Sequence, residues 1–109
     1  MKQNKIDVGR ALGNSPDESC FWCTDGKILR NLEELGSALS SISDETYRYH
    51  ANAERNDFSI WVNDIFGDEA LAVKLRSCKT RQSASRLVKA RVFALKNMNA
   101  STKNKKARK

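Results

Sequence analysis

The residues best suited by type and spacing to do chemistry are Cys20 and Cys23, two thiols separated by Phe21 and Trp22, and His50, the one imidazole of the chain. A Cys-x-x-Cys pair can supply two ligands to zinc or cycle between dithiol and disulfide. Zinc needs four ligands, and the remaining soft donors, Cys78 and His50, each stand alone. If Cys20 to Cys23 forms a strand, residues three apart point to opposite faces and the two thiols diverge. The pair therefore reads as structural, with Cys20 and Cys23 kept as metal or redox candidates and no cofactor expected. His50 shares a helical side with Tyr47, Ala51 and Glu54, and Glu54 at i+4 is placed to orient its ring. No particular Ser or Cys is aimed at the imidazole to serve as a nucleophile, so no enzymatic activity is expected. Asp57 and Asp68 sit where helices start and read as caps, and the glycines at 9, 13, 26, 36 and 67 are too scattered to cradle a phosphate.

The cations form a more distinctive pattern. All thirteen acidic residues precede Val73, so Met1 to Val73 carries seven basic against thirteen acidic groups, or −6. The remainder carries thirteen basic residues and no acidic one: Lys74, Arg76, Lys79, Arg81, Arg86, Lys89, Arg91, Lys96, Lys103, Lys105, Lys106, Arg108 and Lys109. Clustered cations displace the counterions condensed on phosphates, so this region points to nucleic acid, RNA or DNA, gripped by its backbone. No base-reading motif accompanies it, which argues against strong sequence specificity. An adaptor whose basic helix contacts an acidic protein or an anionic surface is the alternative reading, and a small thiol or zinc protein the second.

These residues need elements to hold them. Five glycines and one proline in 109 residues leave little turn punctuation, which favours helices. Residues 1–18 read as a loose lead-in and 19–78 as a compact unit of a short hairpin and helices. Residues 79–96 read as a basic amphipathic helix and 97–109 as a disordered basic tail. Asp25-Gly26 between two β-favouring runs predicts the hairpin. Asn31, Ser43, Asn56 and Asp68 each precede a helical period and predict N-caps, and Gly67 suits a helix end. Phe58, Trp61, Val62, Ile65 and Phe66 recur at i, i+3, i+4, i+7 and i+8 and mark the centre of the core. The fold class is α+β, mainly α, with an N-terminal hairpin followed by four to five short helices. No apolar run reaches the roughly 20 residues of a bilayer helix, and the N-terminus lacks the apolar segment of a secretory signal. With an odd number of cysteines, that places the chain in a reducing cytoplasm.

Residues 21–75 resemble a small archaeal and bacterial domain family of unknown function. The resemblance rests on Asp25-Gly26, Leu32, Leu35, Leu39, Tyr49-His50, Asn56-Asp57-Phe58, Trp61, Phe66-Gly67-Asp68 and Leu71-Ala72. It implies a shared fold unit and carries no catalytic residues. The basic region after Leu75 lies outside it.

Overall fold

The computed structural model describes residues 6–107, with side chains as far as Asn99. In chain order it holds α1 (Val8–Leu12), β1 (Phe21–Trp22), β2 (Ile28–Leu29), α2 (Leu32–Ser41), α3 (Asp44–His50), α4 (Asp57–Trp61), α5 (Glu69–Ser77) and α6 (Arg81–Ala107). A 3-10 turn at Asp17–Ser19 precedes β1, and a π-helical turn, Val62–Phe66, continues α4. The chain is thus mainly helical with one small antiparallel hairpin, as its composition predicts.

The hairpin pairs Phe21 with Leu29 and Trp22 with Ile28. Its turn is longer than a two-residue Asp-Gly connection. The Gly26 N–H donates to the Cys23 carbonyl and the Cys23 N–H to the Lys27 carbonyl, both at 2.9 Å, which encloses Thr24, Asp25 and Gly26 in a three-residue loop. Gly26, at φ 99°, takes the left-handed position that such a loop requires.

Four of the five residues read as caps make them; the fifth, Asp57, turns its carboxylate to His50 and Arg55 instead. Asn31, Ser43, Asn56 and Asp68 accept from the backbone N–H groups of Glu34, Thr46, Ser59 and Leu71, and Gly67 ends the π turn at φ 68°. Each cap pairs a helix donor that would otherwise lack a partner. The lead-in is more ordered than expected: Asp7 caps α1 by accepting from the Arg10 N–H, and Ala11 is fully buried. A five-residue helix is too short to carry a clear periodic signal.

The core joins the hairpin to α2–α5. Phe21 stacks on Phe58 at 4.9 Å and meets Trp61 edge-on at 5.6 Å, while the Trp61 indole N–H donates to the Ser19 carbonyl at 2.7 Å. Phe58 and Phe66 are each 1% exposed, and burying each contributes about 1.5–3 kcal/mol. The π turn accounts for the one departure from the predicted helical period. In an α-helix residues five apart stand about 140° apart, which would separate Trp61 from Phe66. The wider turn brings them into edge-to-face contact at 5.0 Å, and it leaves Ile65, predicted central, only partly buried. Arg10 closes this turn from α1 by donating to the carbonyls of Ile65 and Asp64.

α6 packs chiefly along α2. Ser85 donates to the Gly36 carbonyl at 2.8 Å, and a Cβ on Gly36 would stand 3.0 Å from Lys89 Cγ, so glycine permits the close approach. Ala84, Val88, Val92 and Leu95 form the buried stripe of α6, with Leu87 partly buried beside it and Phe93 on a different side. The helix runs past the boundary expected at Lys96, its backbone continuing as far as Ala107. Residues 97–107 contain neither Gly nor Pro, and their Lys and Ala residues favour continuation. Arg108 and Lys109 lie outside the described residues.

Candidate nucleic-acid interface

The fold divides the basic residues into groups that their sequence does not distinguish. Three are held by carboxylates from the acidic part of the chain. Arg91 grips Asp68 with two bonds, Nε to Oδ2 at 2.7 Å and Nη2 to Oδ1 at 3.0 Å. Arg81 donates to Asp44 at 2.9 Å and to the carbonyls of Leu39 and Ser40, where it satisfies backbone acceptors near the end of α2. Lys96 pairs with Glu33 at 3.3 Å. The expectation of thirteen uncompensated cations is corrected at these three positions, because partners 23 to 63 residues away in sequence come within bonding distance once α6 docks. Arg76 is tied differently, donating from Nη1 to the Ser59 hydroxyl at 3.1 Å, which in turn donates to the Ala72 carbonyl.

Lys74, Lys79, Arg86 and Lys89 are exposed, and none has an ion-pair partner among the described residues. Lys74, Lys79 and Arg86 line one open groove between the end of α5 and the start of α6, floored by Val73, Cys78 and Leu87. Thr80 opens α6 there, accepting at Oγ1 from the Ser83 N–H at 3.1 Å and at its carbonyl from the Ala84 N–H. The positive end of the long α6 dipole therefore adds to the charge of this groove. Lys89 lies further along α6. The side chains of Lys103, Lys105, Lys106, Arg108 and Lys109 fall outside those described.

The thiols and the imidazole are built into the fold. Cys23 is buried at the hairpin turn, where burial first, and the nearby Asp25 charge second, push its thiol up to about 11. A thiol so held stays protonated near neutrality and is a poor nucleophile or metal ligand. Cys20, before β1, bonds Ser15 at 3.3 Å and the Pro16 carbonyl at 3.6 Å. No group of three or more His, Cys, Asp or Glu side chains able to hold a metal occurs among the described residues.

His50 is 4% exposed and bridges two elements. Its Nε2 accepts from the Thr24 N–H at 3.1 Å, so Nδ1, 3.0 Å from Asp57 Oδ2, carries the proton and donates. Asp57, not Glu54, therefore orients the ring. Asp57 also meets Arg55 at 3.0 Å, while Asn56 makes the α4 cap expected of the Asn-Asp pair. The sequence signal that could have found this bridge is slight, because Thr24 takes part through its backbone. No described helix is long and apolar enough to cross a membrane.

Most of the motif residues behind the family resemblance have local structural work: Trp61, Phe66, Leu71 and Ala72 fill the core, Gly67 ends a helix and Asp68 starts one. Comparison with family models, curated proteins and solved structures found none that matches this chain, so the resemblance rests on those residues alone.

Proposed function

We propose that this protein binds the phosphate backbone of nucleic acid through α6 and the α5–α6 corner, with little sequence preference and without catalysing a reaction. The observation that carries this reading is that α6, from Arg81 to Ala107, bears eight basic side chains and no acidic one, while Lys74 and Lys79 extend the charge onto the preceding turn. Two of the eight, Arg81 and Arg91, serve the fold, and Lys96 pairs with Glu33 at the surface. Arg86 and Lys89 project without a carboxylate partner among the described residues, as do Lys74 and Lys79. A cluster of this kind gains affinity by releasing counterions from phosphates, and it distinguishes sequences poorly because phosphates carry no base identity.

A comparison of charge variants tests the proposal. Replacing Lys74, Lys79, Arg86 and Lys89 together by alanine should lower affinity for a mixed-sequence oligonucleotide at least about tenfold at low salt, while Lys27→Ala/Arg30→Ala, at the two ends of β2, should change it little. Equal losses from the two variants would overturn the assignment of this face. Capture of an acidic protein that withstands nuclease and high salt, with no affinity for oligonucleotide, would replace it with the adaptor reading.

A further inference from the structure

We infer that the nucleic acid this surface takes is single-stranded, with an unpaired base stacked on Phe93; the inference rests on the backbone-binding reading above and specifies its ligand. Phe93 is 68% exposed on α6, although the helix buries Val88, Val92 and Leu95 immediately beside it. Its neighbours along the helix surface are Lys89 at i−4 and Lys96 at i+3, with Arg86 a further turn back. An aromatic face is thus presented to solvent among three cations on a helix that has no acidic residue. Aromatic rings bordered by a basic track hold single strands, because every unpaired base offers a π-face while the cations follow its phosphates.

The alternatives fit the charges and chemistry less well. A second copy of α6 laid across Phe93 would bring like charges together without an acidic residue from either helix to relieve them. In a duplex both faces of each base are already stacked, and the phenyl ring has no donor or acceptor with which to read a groove edge. Glu33, paired with Lys96 at 3.3 Å, is the acidic group at this site, and both side chains are exposed. Such a surface pair contributes little, so a phosphate can take over Lys96 at small cost.

Binding of labelled oligothymidylate and of a duplex of equal length, followed by fluorescence anisotropy, tests the inference on the full chain. Phe93→Leu keeps the apolar bulk and removes the π-face; it should weaken single-strand binding about tenfold and leave duplex binding within about twofold. Phe93→Trp should hold or strengthen it, and Arg86→Ala/Lys89→Ala should weaken both ligands. Circular dichroism checks that each variant folds, which the exposure of these side chains favours. Phe93→Leu binding both ligands as the wild type does would overturn the stacking site and leave the backbone reading standing. Failure of the wild-type protein to bind either ligand would overturn both. Loss of binding to phosphatidylserine vesicles on Phe93→Leu, with single-strand binding unchanged, would assign the ring to a membrane surface instead.

Discussion

Asp68 concentrates more of the fold in one side chain than any other charged residue described, and replacing it by alanine gives a quantitative test. Its carboxylate is 1% exposed, caps α5 through the Leu71 N–H at 3.1 Å and takes both bonds of the Arg91 fork. Loss of the cap costs about 1 kcal/mol. Removing one partner of a buried ion pair costs about 3–5 kcal/mol, but Arg91 is 23% exposed and water can reach its guanidinium, which lowers that figure. A total of about 3 kcal/mol follows. Small domains have only about 5–15 kcal/mol of stability, so this is a large share of it. At this chain length it should lower the melting temperature by roughly 15 °C. Asp68→Asn retains a cap acceptor and should lose about 2 kcal/mol. Arg91→Met/Asp68→Ala should lose less than the sum of its single changes, because neither charge is then stranded. Urea unfolding followed by circular dichroism measures all four variants. A loss below about 1 kcal/mol for Asp68→Ala, or strict additivity in the cycle, would contradict the role assigned to Asp68.

Three further outcomes follow from the geometry. Gly67→Ala should cost about 2–3 kcal/mol in urea unfolding, since an L-residue resists φ 68° and the new Cβ would stand 2.8 Å from Arg10 Nη1, pushing Arg10 off the Ile65 and Asp64 carbonyls. His50→Leu should leave the Thr24 N–H without its acceptor, costing about 1–3 kcal/mol and speeding amide exchange at the hairpin turn. Burial raises Cys23 above its ordinary 9.0 to about 11, so the folded chain keeps a proton that the unfolded chain gives up. That contribution to stability is full below pH 9 and lost as the pH rises through about 11. Cys23→Ala should flatten the alkaline decline in urea midpoint over that window, and mass spectrometry after brief alkylation should find Cys23 modified after Cys20 and Cys78.

The parts of this fold that sequence reveals are those governed by neighbouring residues. Asn31, Ser43, Asn56 and Asp68 could be read as caps because a cap bonds a backbone group two or three positions away. Gly67 was readable for the same reason, since few other residues accept its φ. The π turn was not, because it depends on Trp61 and Phe66 reaching the same side of the core, and that is decided by the hairpin and α1 closing over them. The candidate interface is divided in the same way. The acid-free run after Val73 is visible in the chain, but Arg81, Arg91 and Lys96 differ from Arg86 and Lys89 only through Asp44, Asp68 and Glu33, whose positions depend on α6 lying along α2 and α5. The His50 bridge was half visible: the imidazole could be singled out, whereas its acceptor role toward a backbone N–H at the hairpin turn could not. Phe93 falls off the helical period of the buried α6 stripe, and its exposure gives that offset a meaning.

Phosphate binding is tested most directly by the affinity of the wild-type chain for a single-stranded oligonucleotide across a series of salt concentrations. Four exposed cations, each releasing about 0.7 of a counterion, predict log K falling against log salt with a slope of about −3 or steeper, the distal lysines adding to it. A slope near zero, or no binding at the lowest salt, would contradict it.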